Sequence, residues 1–164
     1  MIKIVICGVL GKMGSTVARF VDAAPDLTLV GGVDLKPGEA FGARVVAAGD
    51  MALLLEERKP DVVIDFTVAS AAVRNVSTAA AHGAAVVVGT TGFSPEQRAE
   101  MARAIEGRVP AVISSNFSIG VNIFWQLIRE AARLLPDYDI EVIEAHHRYK
   151  KDAPSGTAKT IIQV

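Results

Sequence analysis

His146 and His147 stand side by side, with Arg148, Lys150 and Lys151 just after them and Pro154-Ser155-Gly156-Thr157 following, all within "EAHHRYKKDAPSGTAK", Glu144 to Lys159. Histidine with nearby cations suits proton transfer. A lysine donates a proton when neighbouring positive charge or desolvation lowers its pKa, and these three cations are close enough in sequence to act on one another. If "YDIEVIEAHH" is a strand, its alternation places His146 and His147 on opposite faces, poorly arranged to chelate one metal. With no second set of histidines and carboxylates elsewhere, no metal site is expected. In "DAPSGTAK", Pro154 is expected to start a helix and leave the amides of Ser155, Gly156 and Thr157 open to a carboxylate or phosphate. Together with His147 this makes a pocket for a small dianion. A solvated basic loop before a capped helix is the competing reading.

A second constellation lies near the N-terminus. Gly8, Gly11 and Gly14 in "GVLGKMG" follow an apolar run and open a helical one. Glycines there permit a tight turn, approach of backbone to a pyrophosphate and close packing of helix on strand, while the helix N-terminus offers N–H groups and a positive dipole end. The G-x-x-G-x-x-G spacing departs from the commoner G-x-G-x-x-G and also suits an ordinary glycine turn. Asp34, 20 residues beyond Gly14, falls where an acidic side chain accepts hydrogen bonds from an adenosine ribose. Its charge repels a 2′-phosphate, favouring NADH over NADPH, and Lys36 partly offsets that repulsion. Three further strand ends carry unusual residues: "DFT" (Asp65–Thr67), "GTTGF" (Gly89–Phe93) and "SSNF" (Ser114–Phe117). Gly89 and Thr90 would admit a cofactor to backbone amides and a hydroxyl, and Phe66 or Phe117 would pack on a flat ring. Each taken singly is also an ordinary turn.

The elements that must position these groups read as alternating strands and helices. Apolar runs at "MIKIVIC", "LTLVGGVD", "DVVIDFT", "AAVVVGTTG" and "VPAVISS" are expected as strands. Between them lie helices, the first with Met13, Val17, Phe20 and Val21 on one face. The stretch "LKPGEAFG" reads as a loop and "MALLLEER" as a short helix. Gly83 reads as a helix stop, and Ser94, Pro95 and Gln97 as a capping box. Continuously apolar strands alternating with helices imply an α/β, doubly wound, parallel Rossmann-type sheet. After Asn116 a long amphipathic helix ending at Pro136 and the alternating "YDIEVIEAHH" suggest the start of an α+β substrate domain. The expected division is residues 1–117 for dinucleotide binding and 118–164 for the first part of a substrate-binding and catalytic domain.

Composition narrows the classes. At 164 residues, 51% hydrophobic and 21% charged, the chain can build a core, and a net charge of −1 gives no basic face for nucleic acid or anionic membrane. Cys7 is the one cysteine, so no internal disulfide is possible. The strand beginning at Met1 leaves no room for a signal peptide, and no apolar run is long enough to span a bilayer, so a cytoplasmic setting is expected.

In order along the chain, "GVLGKMG", "DFT", "GTTGF", "SSNFSIGVN" and above all "EAHHRYKKDAPSGTA" resemble the 4-hydroxy-tetrahydrodipicolinate reductase (dihydrodipicolinate reductase) family, from Met1 to Val164. The resemblance implies a cofactor loop at Gly8, Val9, Leu10, Gly11, Lys12 and Met13, a ribose contact at Asp34, and further cofactor contacts at Gly89, Thr90, Thr91, Ser114, Ser115, Asn116 and Phe117. It implies His146 as the catalytic histidine and Lys150 as proton donor. It also implies that His147, Ser155, Gly156 and Thr157 hold the carboxylates of a small dicarboxylate heterocycle. The implied reaction is hydride delivery from NADH or NADPH to C4 of a cyclic unsaturated imine, then protonation of the enamine, in the diaminopimelate route to lysine. Leu35 replaces a cation that some members direct toward NADP, and Tyr149 stands where a third histidine is often found. Members are longer and form homotetramers through strands that follow the "PSGTA" helix. The chain is therefore expected to be truncated at its C-terminus, without that interface. The alternatives are a non-catalytic dinucleotide-binding module or inactive fragment, and another Rossmann dehydrogenase such as an aspartate or homoserine type. The latter would share the first half but lack the terminal motif.

Overall fold

The computed structural model describes residues 1–148 and 153–163, and it divides into two compact units, Met1–Ile113 and Ser114–Val164. In the first unit the elements run β1 (Ile2–Cys7), α1 (Lys12–Ala23), β2 (Leu27–Asp34), β3 (Gly38–Ala40), β4 (Ala43–Ala47), α2 (Met51–Arg58), β5 (Val62–Asp65), α3 (Ala69–Ala81), β6 (Ala85–Val88), α4 (Pro95–Ile105) and β7 (Ala111–Ile113). The sheet order is β3-β4-β2-β1-β5-β6-β7, and every pairing is parallel except the β3–β4 hairpin.

The doubly wound architecture follows from the central strands, which are apolar on both faces. In β1, Val5 and Cys7 join Leu54, Leu55, Val63, Val76 and Met101 in one core. Ile4 and Ile6 point the other way into a second core with Val9, Ala18 and Val21 of the α1 side. Burying one such side chain contributes roughly 1.5–3 kcal/mol, and a strand sandwiched in this way is the reason no polar alternation appears in its sequence.

Two readings of this region need correction. The buried face of α1 is Gly14, Ala18 and Val21, whereas Met13 and Phe20 are 51% and 72% exposed. The small residues face inward because α1 lies close on the glycine turn, leaving no room there for a large side chain. The segment read as a loop through Gly42 instead holds a hairpin, whose second strand, "ARVVA", pairs in parallel with β2 through Gly32↔Val45, Val33↔Val46 and Asp34↔Ala47.

The second unit contains α5 (Ile119–Leu134) and α6 (Gly156–Gln163). Ser118 caps α5 by accepting from the Val121 N–H, and the helix ends at Leu134, with Leu135 as its C-cap just before Pro136. The expected strand over "YDIEVIEAHH" is absent: residues 138–147 carry no strand assignment, and Ile140 and Ile143 are 62% and 89% exposed. Alternation alone does not make a strand, because its N–H and C=O groups need a partner ladder, and the described residues of this unit contain no other strand. His146 and His147 therefore do not stand on opposite faces of a strand.

Candidate functional site

In the first unit the polar strand ends gather around a cleft of about 260 Å³ lined by Gly8, Gly11, Asp34, Phe66, Thr67, Asn75 and apolar neighbours. The glycine turn closes tightly: a Cβ at Gly14 would overlap the Gly8 carbonyl oxygen, so the third glycine is required by the packing of α1 on the turn. Gly11 is the N-cap of α1, and no side chain among the described residues caps that helix. By contrast, Ser94 caps α4 in a full capping box with Gln97, as the sequence indicates. An uncapped first turn opening on a cleft is suited to an anion. Leu10, Lys12 and Met13 are exposed around this turn, but the Val9 side chain is buried in the core, so only its backbone can face a ligand.

Asp34 does more than end β2. Its Oδ2 accepts from the Leu10 N–H at 2.8 Å, and its Oδ1 accepts from the Leu35 N–H at 2.8 Å. The carboxylate thereby fastens the glycine turn to the second strand and retains lone pairs for a ligand hydroxyl. Leu35 is 91% exposed and offers no charge to a 2′-phosphate.

Across the sheet, Asp65 is buried at 1% exposure. It accepts from the Thr67 N–H at 3.1 Å, the Thr67 hydroxyl at 2.8 Å, the Thr90 hydroxyl at 2.6 Å and the Asn75 amide at 2.8 Å. The Thr90 hydroxyl also accepts from the Thr67 N–H at 2.8 Å. Thr90 is thus a brace between two strand-end loops, while Thr91 is exposed. A Cβ at Gly89 would overlap the Phe66 ring, so that glycine is what lets the ring lie on the second loop. Asp65 and Asn75 were not assigned a role from sequence; an aspartate at a strand end is legible, but its four donors lie on three separate elements. Cys7, fully buried beneath this edge, has its thiol pushed well up by burial and then by the charges of Asp65 and Asp34.

The second unit brings another set together. The Ser114 hydroxyl donates to the Asn116 carbonyl at 2.7 Å. The Asn116 amide donates to the Thr157 hydroxyl at 3.3 Å, and the hydroxyls of Ser115 and Thr160 meet at 3.2 Å. The "SSN" segment is therefore tied to α6. Phe117 is 45% exposed. Ser155 is the N-cap of α6, its hydroxyl accepting from the Ala158 N–H at 3.1 Å. The amide of Ser155, expected to be open, instead donates to Glu144 Oε1 at 2.9 Å. The other Glu144 oxygen meets His146 Nε2 at 2.8 Å. Those hydrogen bonds, from His146 first and Ser155 second, hold the Glu144 carboxyl down to about 2. Gly156 and Thr157 are half-buried in the first turn of α6, and His147 is exposed. Lys150 lies outside the described residues. Among the described residues no cluster of metal-ligating side chains is found, and no helix is long and apolar enough to cross a membrane.

Residues 2–117 match the family model described as dihydrodipicolinate reductase, N-terminus, and residues 120–164 the one described as dihydrodipicolinate reductase, C-terminus. The chain is 67% identical to 4-hydroxy-tetrahydrodipicolinate reductase of Methanoregula boonei, covering 100% of this chain and 64% of the relative. It is 64% identical to the enzyme of the same name from Methanoculleus marisnigri, covering 100% of this chain and 65% of that relative. It thus spans a little less than two thirds of these relatives. Among solved structures, a dipicolinate-bound dihydrodipicolinate reductase from Paenisporosarcina sp. TG-14 superposes with a TM-score of 0.79 at 30% identity, covering 99% of this chain and 64% of that one. A Rex-family repressor in complex with NADH, at TM-score 0.57 and 14% identity over 84% of this chain and 61% of that one, shares the fold alone. With both of its units matched in order and its fold reproduced by a solved member, the chain belongs to the dihydrodipicolinate reductase family.

Proposed function

We propose that this chain supplies the dinucleotide-binding unit and the beginning of the substrate-binding unit of an NAD(P)H-dependent 4-hydroxy-tetrahydrodipicolinate reductase, acting in the diaminopimelate route to lysine. The observation that carries the reading is the cleft of the first unit, where an uncapped helix N-terminus, the glycine turn and the Asp34 carboxylate converge. Those groups fit a dinucleotide. Backbone amides from Gly11 to Met13 would receive the pyrophosphate and Asp34 a ribose hydroxyl, and Gly89 to Thr91 would border the nicotinamide half. When bound, the reduced nicotinamide supplies hydride to the substrate ring. NADH is favoured over NADPH, because a 2′-phosphate would meet the Asp34 carboxylate and find only the apolar Leu35 directly after it. Ser114 to Phe117 complete the cofactor contacts in this reading.

The remaining roles belong to the chain's own residues. Ser155, Gly156 and Thr157 at the start of α6, with His147, hold the substrate carboxylates. The Ser155 amide already donates to the Glu144 carboxylate, which supports the view that this position suits an anion. His146 and Lys150 manage the proton that the enamine takes up, Lys150 as the donor.

A non-catalytic dinucleotide-binding module keeps the first cleft but gives no use to the α6 turn. Calorimetric titration of the chain with NADH and, separately, with pyridine-2,6-dicarboxylate distinguishes the two. The reductase reading expects saturable binding of both, with the dicarboxylate weakened by Thr157→Val. Binding of NADH alone would favour the module, and binding of neither would remove both readings.

A further inference from the structure

The geometry points to Asp65 as a positioning residue that fixes the nicotinamide side of the cofactor cleft by clamping two strand-end loops, and so controls affinity for that half of the dinucleotide without touching it. The inference rests on the dinucleotide reading above. Asp65 accepts four hydrogen bonds, three at Oδ1 from Thr67 twice and Thr90, and one at Oδ2 from Asn75. At 1% exposure it stands behind the residues that line the cleft rather than among them, so whatever it does is done through its neighbours.

Its setting argues against a purely structural strand end. The positions paired with it across the sheet are Cys7 on β1 and Val88 on β6, both buried apolar side chains. A buried carboxylate in that row is costly unless fully hydrogen-bonded, and an apolar side chain would satisfy the sheet better. What the carboxylate adds is a fixed relation between loops. Thr67, which lines the cleft, and Thr90, on the loop after β6, converge on one oxygen, Oδ1. Asn75 of α3 holds the other oxygen and also lines the cleft.

Strand order assigns the half affected. β2, carrying Asp34, and β6, preceding Thr90, lie on opposite sides of the β1–β5 pair. A dinucleotide whose ribose reaches Asp34 and whose pyrophosphate lies on α1 places its other half toward Thr67 and Thr90.

The test is equilibrium binding of NADH and of ADP-ribose, which lacks the nicotinamide, to the intact chain and to variants whose circular dichroism and melting temperature are recorded alongside. Asp65→Asn puts an amide donor against either the Asn75 amide or the Thr67 N–H, both donors. Thr90→Val removes the brace with little change in volume and serves if Asp65→Asn does not fold. The expected result for either is a rise of about tenfold in the NADH dissociation constant, with that of ADP-ribose changed by less than about twofold. Thr90→Ser, and the exchange Asp65→Asn with Asn75→Asp, should restore NADH binding to within roughly twofold. Equal loss for both ligands would mean general destabilisation, and no loss for either would mean an idle network; each overturns the inference while leaving the dinucleotide reading intact. Failure of the unaltered chain to bind NADH would remove the dinucleotide reading and this inference together.

Discussion

Glu144 illustrates how one side chain can organise a short stretch of polypeptide. Its two oxygens serve different partners, the Ser155 amide and the His146 imidazole, and those bonds draw its pKa from 4.5 down to about 2. A carboxyl depressed in the folded chain contributes stability that is complete above pH 4.5, where the unfolded carboxyl is also ionised, and that fades as the pH falls toward 2. Urea midpoints for the unaltered chain and Glu144→Gln should therefore differ at about pH 5 and converge as the pH falls toward 2. A gap that stays unchanged down to pH 2 would show that the carboxylate bonds are not formed in solution. This residue stands in the quoted motif, yet its role was not legible there. Its partner Ser155 lies 11 residues away, and a bond at that separation is set by the path of the intervening chain rather than by any periodicity.

At the scale of elements, the local signals read from the sequence are those with a short-range physical cause. The capping box of α4 is complete within four residues, the close approach of α1 needs only the glycine at position 14, and the β-branched runs of β1, β5 and β6 declare themselves as buried strands. Ser94→Ala should cost about 1 kcal/mol of stability, measured by urea denaturation, and a change below a few tenths would mean the cap is made only weakly. Elements defined by their neighbours were harder to read. The strand β4 is five residues long and begins directly after Gly42, so it is identified by its pairings with β2 and β3. The alternation in "YDIEVIEAHH" has the right period without a ladder to join. The Asp65 network was equally hidden, since its donors come from the β5–α3 loop, α3 and the loop after β6. On α5, Ile119, Ile123 and Leu127 form an exposed row, at 78%, 51% and 64% exposure, four residues apart and hence on one face. Such a row is apolar surface that the described residues do not cover.

At the scale of the whole chain, the first unit holds a doubly wound sheet with two cores, and the described residues of the second hold two helices. The chain's share of its relatives, 64% and 65% of their lengths, makes turnover a question to be asked both of this chain and of one extended to the relatives' length. The central claim is that these residues serve hydride transfer to a cyclic imine dicarboxylate. The most direct measurement is NADH consumption followed by its absorbance, with and without freshly prepared 4-hydroxy-tetrahydrodipicolinate, in the extended chain and its Lys150→Ala variant. The account predicts oxidation that depends on substrate and falls by roughly a hundredfold or more in the variant, while the NADH dissociation constant stays within about twofold. A chain that binds NADH but never oxidises it when the substrate is added would contradict the account.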